Sequence, residues 1–99
     1  MAGRYVLSRA ADRDILTLLQ SSIDMFGEAQ TDVYLAGIRD IFEMLATHPD
    51  SGATFRHPRS HRTYRRFNHG SHVIYHRQCL VDILIVRVPH VRMLPEKHL

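Results

Sequence analysis

Hydrophobic residues recur along this chain with two different spacings. In residues 15–26 and again in residues 34–45, apolar side chains return every three or four positions, which is the period of an amphipathic helix. In residues 81–88, six of the eight side chains are Val, Ile or Leu, and so continuous a run predicts a strand covered on both faces. We therefore expect the other elements to pack around this central strand, which ends at Pro89 because proline cannot donate to a sheet ladder.

Polar residues and glycine mark the ends of the two predicted helices. Ser8 precedes the first helix and is a favourable N-cap, and Gly27 suits the left-handed position that follows a helix. The second helix stops at His48-Pro49, since the residue before proline avoids the helical region. Only one or two residues separate the helices, which predicts an antiparallel helical hairpin.

The remaining segments are shorter. Residues 4–7 favour an edge strand, and residues 50–61 predict an irregular loop because they are rich in glycine, proline and polar side chains. Two alternating segments, 62–67 and 72–77, predict a hairpin around a turn at residues 68–71. Alternation alone does not decide which face of these strands meets the helices, and it predicts an outer face with arginines, tyrosines and histidines.

The order of these elements predicts the fold class. We expect a single α+β domain over residues 1–99, in which an N-terminal strand is followed by an antiparallel helical hairpin packed on a mostly antiparallel sheet. Three C-terminal strands complete that sheet. The chain has no apolar run of roughly 18 residues, so we expect no membrane partner. It also shows no secretory signal, and its single cysteine, Cys79, fits a reducing cytoplasm.

Charge is distributed unevenly between the two halves of the chain. Residues 1–50 hold four arginines and eight carboxylates, a balance of −4, whereas residues 51–99 hold nine Lys or Arg and two carboxylates, a balance of +7. Twelve of the thirteen cationic residues are arginine, which is suited to planar anions. This asymmetry indicates an anionic partner, either a nucleic acid or an acidic protein segment, and a plain nucleic-acid-binding module is one interpretation.

Histidines are frequent in the second half but do not predict a metal site. His69, His72 and His76 are close in sequence, yet only His72 and His76 fall on the same face of a strand. Zinc requires at least a third ligand from the protein. We therefore predict neither a metal nor a cofactor.

A series of short motifs runs along nearly the whole chain. They are Leu7-Ser8, Ala10-Ala11-Asp12, Phe26-Gly27-Glu28-Ala29-Gln30, His48-Pro49, Gly52, Tyr64-Arg65-Arg66-Phe67, Gly70-Ser71-His72-Val73-Ile74-Tyr75, Ile85-Val86-Arg87-Val88, His90, Arg92 and Met93. In this order they resemble the RelE/ParE superfamily of toxins from bacterial toxin–antitoxin modules, and within it the ParE toxins. The resemblance departs from the family pattern at Pro89 and Leu94.

The resemblance implies a function and a set of contacts. ParE toxins of type II modules poison DNA gyrase, block replication and are neutralised by a cognate ParD-like antitoxin, without catalytic residues of their own. It implies target contacts by His90, Arg92 and Met93. For the antitoxin it implies a basic and apolar surface. The expected antitoxin contacts are Ile38, Phe42, Leu45, Arg65, Arg66 and Arg87. The helical stripe also predicts the first three of these as core residues, with a helix-groove contact to a partner as the alternative. Direct binding to DNA stays open.

The RelE branch of the same superfamily provides an alternative, a ribosome-dependent mRNA endoribonuclease. Such chemistry needs an acid or base and cations on the phosphate. His90 would be the acid or base, and the phosphate contacts would be Arg65, Arg66, Arg87 and Arg92. RelE-like enzymes usually have a tyrosine close to the C-terminus, but no tyrosine follows Tyr75 here. The resemblance therefore favours the ParE branch.

Overall fold

Two helices and a five-stranded sheet make up the part of the chain described by the structure, residues 4–92 of a computed structural model. The strand order is β1-β5-β4-β3-β2, with β1 parallel to β5 and every other pair antiparallel. This arrangement confirms the predicted α+β fold class. The elements are β1 (Tyr5–Leu7), α1 (Arg9–Phe26), α2 (Glu28–Thr47), β2 (Ala53–Arg56), β3 (Thr63–His69), β4 (His72–Gln78) and β5 (Ile83–Arg87).

The helix boundaries follow the predicted caps. The Ser8 hydroxyl accepts the Ala11 amide at 2.9 Å and donates to the Val86 carbonyl at 2.6 Å, so one side chain caps α1 and ties it to β5. Gly27, at φ 84°, is the only residue between the helices, and its amide donates to the Ile23 carbonyl. The predicted helical hairpin is therefore present. Within residues 4–92, neither helix is long and apolar enough to cross a membrane.

The core lies between the helical hairpin and one face of the sheet. On α2, Ile38, Phe42 and Leu45 are 2, 3 and 0% exposed, and they pack in one cluster with sheet residues such as Ile74 and Ile85. Phe26 departs from the predicted apolar stripe of α1, because it is 57% exposed.

The central strand is β4 rather than β5. All four residues from Val73 to His76 are buried, so β4 is covered on both faces. β5 lies between β1 and β4 and is shorter than predicted: Val81 is 81% exposed and Asp82 precedes the strand. The continuous apolar run predicted burial on both faces, but it could not show how many strands would lie on each side. Pro89 follows the end of β5 as expected.

The predicted loop at residues 50–61 contains an edge strand that the sequence pattern did not indicate. β2 pairs with β3, from Ala53 opposite Arg66 to Arg56 opposite Thr63. Its hydrogen-bond partner, rather than its own apolar content, makes it a strand. The next hairpin is also tighter than predicted, because His69 pairs with His72 and leaves a two-residue turn.

The register decides which side chains face the helices. Ile74 belongs to the core, so His72 and His76 face the helices with it, and the cross-strand partner of His76 is Arg65. The prediction of histidines from these strands on the outer face is therefore wrong. The outer face instead carries an aromatic cluster in which the Phe55 ring lies 5.7 Å from Tyr64 and 5.5 Å from Tyr75.

Candidate functional site

A cleft of about 520 Å³ lies between α1, the first turns of α2 and the end of β5. One side is apolar and includes Met25 and Phe26, which are 71 and 57% exposed. The other side holds the polar side chains of Tyr34, His72 and His90. We call this the hairpin cleft. It contains His90, one of the residues that the sequence resemblance connects with the target.

An ion pair between α1 and β5 lies beside the hairpin cleft, and its Asp14 is one of the lining residues. The Asp14 carboxylate accepts two hydrogen bonds from the Arg87 guanidinium, at 2.7 and 2.9 Å, and a third from the Val88 amide at 2.8 Å. Both side chains are mostly buried. The hydrogen bonds from Arg87 to Asp14 raise the pKa of the guanidinium. Because 73 residues separate the partners, no local sequence signal could have shown this contact.

Tyr34 connects α2 with the turn between β3 and β4. Its hydroxyl lies 2.8 Å from His72 Nδ1 and 3.1 Å from the His69 carbonyl oxygen, and it accepts the Ser71 amide at 3.1 Å. A phenol has one proton, so Tyr34 donates either to His72 Nδ1 or to the His69 carbonyl. In the second case, the His72 N–H donates to the phenol oxygen. The helical pattern had identified Tyr34 only as a core residue.

Burial changes the protonation of this network. Desolvation, together with the smaller effects of the neighbouring His90 and His69, lowers the pKa of His72 to about 4. Burial also raises the pKa of the Tyr34 phenol. At neutral pH both groups are therefore uncharged, and they bond to each other as neutral partners. His76 lies elsewhere, fully buried in the core, and burial lowers its pKa as well.

Backbone contacts fix the position of His90 as the chain leaves β5. His90 forms an isolated antiparallel bridge with His72, and the two rings lie 5.4 Å apart, edge to face. The Val73 amide donates to the Pro89 carbonyl at 3.0 Å. The Arg92 amide donates to His90 Nδ1 at 3.1 Å, so a neutral His90 carries its proton on Nε2. Arg92 is exposed, and Met93 lies outside the described residues.

Of the four arginines assigned to an mRNA phosphate, three do not converge on His90, and only Arg92 follows it closely in the chain. Arg65 faces the helix side and donates to the carbonyls of Asp50 and Gly52, at 2.8 and 3.2 Å. Arg66, its neighbour on β3, points to the opposite face of the sheet. Arg87 is held by Asp14, so these three side chains serve three different regions. They do not form one basic patch for a phosphate or for antitoxin carboxylates.

The apolar antitoxin contacts predicted on α2 need correction. Ile38, Phe42 and Leu45 are almost completely buried under the sheet, so they offer no surface to a partner. The exposed apolar residues next to the hairpin cleft are Met25 and Phe26. Their place at the end of α1 was visible in the sequence, but the helical period assigned Phe26 to the core. Among residues 4–92, no three His, Cys, Asp or Glu side chains are arranged to hold a metal ion.

Comparisons with known proteins support one family. The family model for the ParE toxin of the type II toxin-antitoxin system parDE matches residues 5–95. Toxin ParE1 of Caulobacter vibrioides is 35% identical over 95 residues, covering 96% of each chain. Toxin ParE1 of Mycobacterium tuberculosis is 29% identical over 102 residues and covers both chains fully.

A solved structure has the same fold. The chromosomal ParDE TA system from P. aeruginosa contains a chain that superposes with a TM-score of 0.72 at 16% identity, covering 91% of this chain and 97% of that one. The family match extends over the helical hairpin, all five strands and His90. This chain therefore belongs to the ParE toxin family of type II toxin–antitoxin systems.

Proposed function

We propose that this chain is a cytoplasmic toxin that poisons DNA gyrase and that a cognate ParD-like antitoxin neutralises it. The observation that carries the proposal is the family match over residues 5–95. The geometry is consistent with a toxin that acts by binding, because three of the four arginines assigned to an mRNA phosphate lie in different regions.

The hairpin cleft is the proposed antitoxin site. Its apolar side ends in Met25 and Phe26, whose exposure is costly in water and whose burial by a partner would be favourable. An amphipathic antitoxin segment would place its apolar face there, as helices do in hydrophobic grooves. The neutral Tyr34–His72 pair would meet that segment without the cost of burying a charge.

The antitoxin proposal is tested by the melting temperature of the purified chain. A partner that binds only the folded state raises the melting temperature by mass action. We expect a rise with the antitoxin, and a smaller rise for Phe26→Ser. Leu80→Ser is the matched control, because Leu80 is 99% exposed at the turn between β4 and β5. The proposal is contradicted if the antitoxin does not raise the melting temperature of the unchanged chain. If Phe26→Ser and Leu80→Ser reduced that rise equally, the antitoxin contact would lie outside the cleft.

The proposed gyrase contact is the exit of β5, at His90 and Arg92. Both residues lie beyond the core, and the bridge to His72 holds His90 in place. When the purified chain is added to purified gyrase, supercoiling should be inhibited. In the presence of ATP, cleaved linear DNA should accumulate. Arg92→Ala should weaken this effect, whereas Arg39→Ala, at an exposed position on α2, should leave it unchanged.

A ribonuclease would give a different result in a purified translation system. We expect translation to continue on intact mRNA. If the chain instead cut mRNA in phase with the codons, and His90→Ala abolished the cuts, the chain would be a ribonuclease of the RelE branch and gyrase poisoning would be rejected.

A further inference from the structure

Carboxylates are missing from a long part of the sheet. Between Asp50 and Asp82 the sequence contains no Asp or Glu, yet it contains six arginines. These residues form β2, β3 and β4. Three of the arginines, Arg56, Arg59 and Arg62, lie at or between the ends of β2 and β3, and all three are exposed. We call this segment, residues 53–69, the arginine hairpin.

The end of the arginine hairpin is held in one conformation by its own hydrogen bonds. His57 is 5% exposed, and its Nδ1 accepts the amides of Arg59 and Ser60, at 3.2 and 3.1 Å. The His57 amide donates to the Arg62 carbonyl at 2.9 Å, and the His61 amide donates to the His57 carbonyl at 2.9 Å. Beneath the loop, the His57 ring lies edge to face against Tyr64, at 5.8 Å. Because the backbone of this loop is already fixed, it loses little further backbone entropy when its arginines bind a partner.

The guanidinium groups of the hairpin end are available. Among residues 4–92, the side chains of Arg59 and Arg62 have no hydrogen-bond or ion-pair partner, and Arg56 donates only through Nε to the His61 carbonyl, at 3.1 Å. The Arg65 guanidinium, by contrast, is occupied by Asp50 and Gly52. Three exposed cations that have no ion-pair partner within residues 4–92 fit an external polyanion.

We propose that the arginine hairpin binds the phosphate backbone of double-stranded DNA through Arg56, Arg59 and Arg62. The choice of duplex DNA rests on the proposed function, since gyrase holds a DNA duplex. In that complex, the toxin would contact the DNA as well as the enzyme. The binding itself requires no gyrase and can be measured without it.

The shape and chemistry of the hairpin favour DNA over an acidic peptide. Arginine presents a planar set of donors that matches phosphate. A two-stranded β-ribbon fits the major groove of B-DNA, which is about 12 Å wide. β4 pairs with β3 only from Arg65 onward, so the loop end of the β2–β3 hairpin is two-stranded. The aromatic rings of Tyr64 and Tyr75 are buried, so they offer no platform for the stacked bases of single-stranded RNA.

Fluorescence anisotropy of a labelled 20-base-pair duplex tests the proposal with the purified chain. The probe is titrated at several salt concentrations with the unchanged chain, with the double variant Arg59→Ser/Arg62→Ser, and with Arg39→Ser as control. The slope of log K against log salt is negative, and each phosphate contact adds about 0.9 to its magnitude. The double variant should therefore make the slope shallower by about 2. Its dissociation constant should rise roughly 50-fold at about 0.1 M salt. Arg39→Ser should match the unchanged chain.

Two further probes identify the polyanion. A single-stranded RNA of equal length and poly-glutamate should each bind more weakly than the duplex. The proposal is overturned if either probe binds as tightly as the duplex, or if the double variant loses less than threefold in affinity. It is also overturned if Arg39→Ser loses as much. Equal melting temperatures for both variants show that any loss is not due to unfolding. Gyrase poisoning is measured separately, so DNA binding can fail while gyrase poisoning stands.

Discussion

Replacing Asp14 should destabilise the chain more than replacing any other carboxylate on α1. Its carboxylate accepts three hydrogen bonds, two from Arg87 and one from the Val88 amide. Asp14→Ala leaves the Arg87 charge, with its side chain only 16% exposed, without its partner. It also removes the acceptor of the backbone amide of Val88, a buried residue. A buried cation that loses its partner costs more than the pair contributed.

The expected loss can be estimated from this geometry. Breaking a buried ion pair costs about 3–5 kcal/mol. Both side chains keep some contact with water, which places the loss near the lower end, about 3 kcal/mol. For a domain of this size, each kcal/mol lowers the melting temperature by about 4–8 °C, so the expected fall is about 12–24 °C. Asp14→Asn keeps one acceptor oxygen and should lose about half as much free energy.

Urea denaturation at neutral pH measures this loss directly. Asp12→Ala is the matched control, since Asp12 lies in the first turn of the same helix and is exposed. A double-mutant cycle with Arg87→Ala then isolates the pair, and a coupling above about 1 kcal/mol is expected. If Asp14→Ala lost no more stability than Asp12→Ala, the ion pair would not hold α1 on β5 and our reasoning would be refuted.

Three more changes test other parts of the structure. Burial holds the pKa of His72 at about 4, against 6.5 in the unfolded chain. As the pH falls, the unfolded chain therefore binds the proton before the folded chain does. The free energy of unfolding should fall by about 2 kcal/mol from pH 7 to pH 5. His72→Asn should make urea midpoints less dependent on pH, and an unchanged slope would contradict this. Gly52→Ala should cost more than Gly27→Ala in thermal melts: both have positive φ, but a Cβ at Gly52 would collide with the Arg66 carbonyl, whereas Gly27 faces open space. Equal losses would argue against that collision. Ser8→Ala should cost about 1–2 kcal/mol in urea denaturation because it removes a helix cap and a bond to β5, and a loss below about 0.5 kcal/mol would show that water replaces both bonds.

Local patterns predicted the parts of the fold that depend on local physics. The helical period, the Ser8 cap and Gly27 gave both helices and their connection, because each feature acts within a few residues. β2 was missed because its strand state depends on pairing with β3, from Ala53 opposite Arg66 to Arg56 opposite Thr63, across an irregular loop. The order of strands in the sheet also depends on such distant pairing. For the same reason, the sequence pattern placed β5 at the centre, where the structure has β4.

The candidate site was less predictable than the fold. His90 could be singled out because it follows a strand that ends at proline. Its neighbours could not: Asp14, Tyr34 and His72 come from three elements, and side chains from distant elements meet only once the sheet register is set. The face of Arg65 also depends on that register, which alternation alone leaves undetermined.

The parallel pairing of β1 with β5 has a consequence for how the chain folds. Ser8 meets Val86 across 78 residues of sequence, whereas the β3–β4 hairpin closes within a two-residue turn. Closing so long a loop costs entropy that is recovered only after the intervening elements have packed. We therefore expect β1, with three residues, to join the sheet after the rate-limiting step. Substitutions at Tyr5 or Leu7 should then speed unfolding and leave the folding rate nearly unchanged, which gives φ-values close to zero.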